Sequence, residues 1–468
     1  MSIVQPTPEA REKLQQACKS KGFTPSQLAK HANVSLDDVK RFLEDKKTTE
    51  GIQKWIVENL AEAVDIEPSE LILKTSRETS QNTYPDEFRA LIEEKTKRFC
   101  GRQFVFQQFD NFLRKHNRGY FTIIGEPGVG KSAIAAEYVR RHGSPCYFNV
   151  MAEGRNRPEL FLPSLRQQLI QRFQLANADN ANLPTLLEKA SRRLHKGEKL
   201  TIVVDGLDEV SQQDAESNLL HLPANLPQGI YFLLTRRPYA TGKEQLTVSP
   251  GVPKASLDLA SDKYAPYNHE DVVEYIRMML HEDPDCSEQL QNWLSERHLT
   301  ESQFIEILAN KSENNFIYLR YVLPEIAAGS YDNLALEGLP EGLQQYYQQQ
   351  WVRMGMERSP GQNAVITLYA FVAIGEPLPP DILAEMTQQD EAEIEKILAD
   401  WAGYLRRSPS DGTTCFSIYH TSFLEFLRGK TELKDNRKIF QDVNRRIADY
   451  WKRELIDDAD PITAANPS

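Results

Sequence analysis

The sequence predicts a multidomain chain: a parallel-sheet α/β core, all-α segments after it, and a small helical domain before it. Three observations carry this. The apolar run Tyr120, Phe121, Ile123, Ile124 breaks into Gly125-Glu126-Pro127-Gly128-Val129-Gly130 and resumes as a helix at Lys131 and Ser132, so a strand, a glycine-rich loop and a helix follow one another. Two further apolar runs, LTIVV before Asp205 and IYFLLT before Arg236 and Arg237, read as buried parallel strands ending in charge. Helical spacing dominates the sequence on either side.

The bulk numbers bound the answer. At 468 residues the chain is too long for one core. A hydrophobic fraction of 40% with 26% charged residues is globular, and a net charge of -12 argues against broad binding to nucleic acid or an anionic membrane. Cys18, Cys100, Cys146, Cys286 and Cys415 have no CxxC spacing, so neither a disulfide framework nor a zinc site is expected. No apolar run is long enough to span a bilayer and MSIVQPTPEAREK lacks a signal-peptide core, so a cytoplasmic location without membrane contact is expected.

Residues 1–75 read as short helices. Thr24 is placed to cap the second, with Pro25 at its first position and Gln27 closing a capping box; Ser35 caps a third that turns Val39, Phe42 and Leu43 inward, and a fourth carries Ile52, Ile56 and Leu60. TPSQLAKHANVSLDDVKRFLEDKK resembles the helix-turn-helix of phage-repressor type regulators. That resemblance implies DNA contact through residues 24–47. The early positions of its second helix hold Leu36, Asp37 and Asp38, however, whose carboxylates repel phosphate, while Lys40, Arg41, Lys46 and Lys47 are interleaved with acids. A DNA-binding domain and a protein-interaction domain therefore both stay open.

Residues 76–97 are taken as a linker on the polar run TSRETSQNTYP, although a short helix through Phe88, Leu91 and Ile92 falls inside them. The core is expected over 98–265. Glycines let loop N–H groups turn inward onto phosphate oxygens, and a helix N-terminus adds its dipole. Gly125, Pro127, Gly128, Val129 and Gly130, with Lys131, Ser132 and Ala133, are thus the candidate phosphate-binding residues. Ser132 and Asp205 are the candidate Mg²⁺ ligands, Asp208 and Glu209 lie where a carboxylate positions or deprotonates water, and Lys131 supplies a cation. Arg236 and Arg237 end a neighbouring strand, from which a cation reaches a γ-phosphate. Asn310-Lys311-Ser312-Glu313 mimics a guanine-reading motif, but helical spacing around it takes it off a strand end and argues against GTP.

With GEPGVGKS, VVDGLDE and LLTRRP in this order, the chain resembles the NACHT group of STAND NTPases, ATP-driven switches related to NB-ARC and NLR proteins. The likeness runs from about Phe99 to Lys430. It implies that Phe99 and Arg102 of FCGR lie near adenine, that DGLDE is a Walker B motif, and that Arg237 is the γ-phosphate sensor. A helical domain over 266–345 is implied, then a winged-helix domain over 346–455, where helices are followed by a hairpin through Asp411 and Gly412. It further implies that His420 of HTSFLEFL folds onto the β-phosphate of ADP. Residues 456–468 are expected to be an unstructured tail.

The expected function is an ATP/ADP-controlled switch with Mg²⁺. Slow hydrolysis would reset it, and nucleotide state would couple to lid opening and self-association. Its outlet would be an effector or trigger protein, in bacterial signalling or antiphage defence. The alternative is a transcription factor whose N-terminal helices bind DNA under ATP control; an enzyme whose turnover is itself the output is a third reading.

Overall fold

The computed structural model describes residues 3–4, 8–32, 34, 36–43, 52–64, 66, 84–212, 218–238, 246–332, 335–357, 360–410, 413–434 and 438–457. The chain divides into two compact units, Met1–Thr83 and Tyr84–Ser468.

The first unit holds helices Pro8–Lys21, Pro25–His31, Leu36–Leu43 and Lys54–Ala63 around a core of Leu14, Leu28, Val39, Phe42, Val57 and Leu60. Thr24 makes the capping box: its side chain accepts from the N–H of Gln27, whose side chain accepts from the N–H of Thr24. Ile52 is not helical as expected. It pairs with Val4, joining β1 (Ile3–Val4) to β2 (Ile52–Gln53) in an antiparallel ladder. Ser35, Lys46 and Lys47 lie outside the described residues, as do the side chains of Leu36, Asp37 and Arg41.

The second unit is built on five parallel strands: β3 (Gly119–Ile124), β4 (Cys146–Phe148), β5 (Leu200–Asp205), β6 (Ile230–Arg236) and β7 (Lys254–Asp258). Their order is β4-β5-β6-β3-β7. β3, β5 and β6 are almost wholly buried, as continuous apolar runs demand of strands covered on both faces. The order matters for the site, because β6 lies between the strand that feeds the glycine-rich loop and the strand that ends at Asp205.

Residues 84–97 are not linker. Helix Asp86–Thr96 buries Phe88 and Ile92 in the sheet's core, where Phe88 meets Tyr147 edge-on at 5.5 Å. Polar composition before residue 84 masked the apolar face just after it; residues 75–83 lie outside the described residues.

After the sheet come helices Ala265–His281, Ser287–Glu296, Glu301–Ser312, Phe316–Ala327 and Gly342–Arg353. Helices Gln362–Ile374, Pro380–Thr387 and Glu391–Asp400 lead to an antiparallel hairpin, β8 (Leu405–Ser410) and β9 (Thr413–Ile418), tied back by a bridge between Leu378 and Phe416. Helices Thr421–Arg428 and Lys438–Asp457 complete the order. Asp411, Gly412 and residues 458–468 lie outside the described residues. One hydrophobic core runs from Val272 to Val443, so the segments expected as two domains share buried side chains. Asn310, Lys311 and Ser312 sit in the last turn of helix Glu301–Ser312, away from any strand end.

Candidate nucleotide site

The loop is shaped by its glycines. Gly128 has φ +89 and Gly130 φ +93, the left-handed region that side chains avoid. Helix Lys131–His142 begins directly after it, so the N–H groups of Lys131, Ser132 and Ala133 have no intrahelical acceptor and are available to an anion. Lys131 Nζ folds back to donate to the carbonyls of Gly125 (2.7 Å) and Glu126 (2.9 Å), and burial lowers its pKa.

Two residues that the sequence did not single out hold this loop. Asn315 caps helix Phe316–Ala327 and also donates from Nδ2 to Pro127 O at 3.0 Å, while Phe316 N–H donates to Gly128 O at 2.9 Å. A Cβ on Gly128 would come within 2.2 Å of Asn315 Oδ1, so this close approach needs glycine. An Asn-Asn-Phe step at a helix start was the available signal, but nothing in it points to a loop 188 residues away.

Arg102 is 3% exposed. Its Nη2 donates to Val129 O at 2.7 Å, its Nη1 to Asn268, and its backbone N–H to Asp271 Oδ1 at 3.1 Å. The guanidinium is thus committed to the loop and to helix Ala265–His281. Burial pushes the Asp271 carboxyl up to about 6 against the opposing pull of Arg102. Gly101, at φ +65, would put a Cβ 2.2 Å from Asp271 Oδ1. Asn268 and Asp271, three apart in NHEDVVEYIRMM, are buried polar residues on one helix face, which was a readable signal.

The strand ends supply the acids. Asp205 is buried; desolvation raises its pKa, and hydrogen bonds from Thr235 and Ser132 oppose the rise. Thr235, one strand over, donates to Asp205 Oδ1 at 2.5 Å and accepts from Gly206 N–H at 2.9 Å. Asp208 takes both the backbone N–H (2.9 Å) and Nε (2.8 Å) of Arg237, whose Nη1 donates to Glu425 on helix Thr421–Arg428. Glu209 accepts from Met151 N–H at 2.9 Å, and burial pushes its carboxyl up to about 7. Arg236, paired opposite Ile124, turns Nη1 to Arg237 O at 2.8 Å.

His420 arrives from far along the chain as the cap of helix Thr421–Arg428. Its Nδ1 accepts from the Ser422 N–H at 3.0 Å and lies 2.7 Å from Ser422 Oγ, itself 2.7 Å from the Tyr347 hydroxyl. A backbone N–H can only donate, so Nδ1 carries no proton and the neutral ring carries one on Nε2. Burial first, then Lys95, Arg320, Arg237 and Lys131, push the ring down to about 3.

These groups surround one cavity of about 400 Å³. Phe99, Phe316, Ile317, Tyr275 and Tyr321 give it apolar walls; Gly128, Gly130, Lys131, Ser132, Ala133, Asp205, Asp208, Glu209, Arg237 and His420 give it polar ones. Among the sequence candidates Gly125 and Val129 shape the loop from behind: a Cβ on Gly125 would meet Val129 Cγ2 at 2.7 Å.

The donor set suits Mg²⁺ held partly by phosphate. One buried carboxylate (Asp205) and one hydroxyl (Ser132) line the same cavity, and among the described residues no cluster of three acidic, His or Cys ligands could cage a metal by itself. No helix among the described residues is long and apolar enough to cross a membrane.

Residues 98–235 match the AAA ATPase domain family, a nucleotide-binding class to which this stretch of chain is similar. No curated protein matches the sequence. Among solved structures, a STAND (signal transduction ATPase with numerous domains) protein with a tetratricopeptide repeat sensor from Pyrococcus horikoshii aligns at 14% identity over 76% of this chain and 45% of its own, with a TM-score of 0.33. The chain therefore spans under half the length of that protein. The Drosophila ORC bound to DNA aligns at 12% identity over 75% of this chain and 99% of its own, with a TM-score of 0.29. The Thermotoga maritima RuvB Holliday junction branch migration motor aligns at 12% over 75% of this chain and 100% of its own, with a TM-score of 0.25. Likenesses this loose carry no inference about this chain.

Proposed function

We propose that residues 84–457 form an ATP/ADP-controlled switch of the STAND type, NACHT subgroup, in which residues 346–455 are a winged-helix lid. The observation that carries it is the presence of His420 in the same cavity as the glycine-rich loop, with its Nε2 proton left to donate. Three helices and a hairpin bridged through Leu378 and Phe416 support the winged-helix reading of the lid.

The residues divide the work. N–H groups of 128–133 and the Lys131 ammonium bind phosphate, and the aromatic walls take the base. Ser132 and Asp205 would hold Mg²⁺, which neutralises phosphate charge when bound. Glu209, with a carboxyl near neutrality, can accept a proton from water at ordinary pH. His420 holds the diphosphate and with it the lid. Arg237, shared between Asp208 and Glu425, is the group for which a γ-phosphate would compete, breaking the tie to the lid helix. An opened lid bares surface for self-association and for an effector. The tandem helices Pro25–His31 and Leu36–Leu43 support a helix-turn-helix reading of the first unit, whose partner, DNA or protein, a salt-dependent gel shift would distinguish.

The test is nucleotide content and affinity. Purified protein should carry or bind ADP and bind ATP with Mg²⁺, and Lys131→Ala should lose this by at least about tenfold, a charged hydrogen bond's worth. A folded wild-type protein that binds no adenine nucleotide would sink the reading.

A further inference from the structure

The cavity holds more positive charge than the loop and strand ends account for. Lys95 and Arg320 line it, from helices Asp86–Thr96 and Phe316–Ala327. Lys95 lies three residues before the stretch that matches the ATPase family.

The Lys95 side chain is 26% exposed and lines the cavity. Its ammonium makes no hydrogen bond to any described residue, and its ion pair with Glu94 is 3.6 Å long, beyond hydrogen-bond reach. Arg320 Nη2 donates to the same carboxylate at 2.6 Å. Glu94 is thus a carboxylate that both cations share. Desolvation lowers the pKa of Lys95, and Glu94 and, more weakly, Asp205 oppose the fall. Lys95, Arg320, Arg237 and Lys131 all bear on one neutral imidazole. Lys131 and Arg237 have carboxylates of their own at the strand ends, Asp205 and Asp208, whereas Lys95 and Arg320 share Glu94.

Resting on the nucleotide reading above, we propose that Lys95 and Arg320 are a second set of phosphate ligands, and that Glu94 is the counter-charge a bound phosphate replaces. A di- or triphosphate would then be gripped from the loop on one side and from helix Asp86–Thr96 on another. That helix is the first element of the second unit.

The experiment compares ADP and adenosine binding to the full chain by calorimetry and competition, for wild type, Lys95→Met, Arg320→Gln and Glu94→Gln. Lys95→Met and Arg320→Gln should each weaken ADP about ten- to hundredfold, the loss of a charge-assisted contact. Adenosine, which has no phosphate, should bind them as it binds wild type. Glu94→Gln, which keeps shape and frees both cations, should tighten ADP severalfold, and it tests the idea even if a cation variant does not fold. ADP affinity unchanged in the cation variants, adenosine weakened as much as ADP, or ADP weakened by Glu94→Gln would each overturn the proposal. Wild-type protein that binds no ADP would instead refute the switch itself.

Discussion

The tie between Arg237 and Glu425 offers a quantitative handle on the lid. Arg237 is 21% exposed and Glu425 44%, so the pair sits where water still screens it. At about 3 Å and an effective dielectric of roughly 40 to 80, its Coulomb energy is about 1–3 kcal/mol. Desolvation and the ordering of two long side chains cancel much of that, leaving about 1 kcal/mol. Asp208 holds the other edge of Arg237 through Nε and the backbone N–H, so losing Glu425 should not displace the arginine. About 1 kcal/mol is roughly fivefold in an equilibrium, so Glu425→Gln should speed release of a fluorescent ADP chased with excess ATP by roughly fivefold. Arg237→Ala completes a double-mutant cycle, and the two substitutions together should accelerate release no more than Arg237→Ala alone. Release at the wild-type rate in Glu425→Gln, or an equal acceleration in both backgrounds, would refute the latch.

Two further outcomes rest on the same geometry. Glu209 has a folded pKa of about 7 against an unfolded value of 4.5, so between those values the folded state keeps a proton that the unfolded state releases. Stability therefore falls as pH rises from about 4.5 to 7, and Glu209→Gln should remove this loss, gaining at most about 3 kcal/mol over wild type above pH 7 and nothing below 4.5; parallel curves in urea melts at pH 5 and pH 8 would contradict it. Gly101→Ala forces an L-residue to φ +65 and a Cβ onto Asp271, so it should cost about 2–4 kcal/mol in a denaturant melt and loosen the Arg102 contact to the loop; a substitution within about 0.5 kcal/mol of wild type would show that the turn relaxes freely.

The difference between what was legible and what was not tracks chain distance. GEPGVGKS is a local device: its glycines, lysine and serine are consecutive, and backbone sterics make them a strand, a loop and a helix wherever they occur. The same holds for the Thr24 capping box and for strands with continuous apolar runs, whose partners lie within a few residues or wherever a core forms. The misread segments failed for the opposite reason. The helix through Phe88 and Ile92 was readable in residues 84–97, but only packing shows that it belongs to the sheet's core, with Phe88 against Tyr147 and Phe148. Ile52 left its helix because Val4, 48 residues earlier, offered a ladder partner.

By itself, then, the sequence determined that a glycine-rich loop joins a strand to a helix, which acids end the strands beside it, and the helical character of the chain beyond the sheet. Tertiary structure alone decided that β6 separates the loop strand from the Asp205 strand, that Thr235 holds Asp205, and that Asn315 clamps the loop. It alone brought Lys95 and Arg320 to the cavity that His420 lines. The physical reason is that a helix or a turn is specified by neighbours in the chain. A charge cluster is specified by which buried faces meet, and that is settled only when the whole core closes.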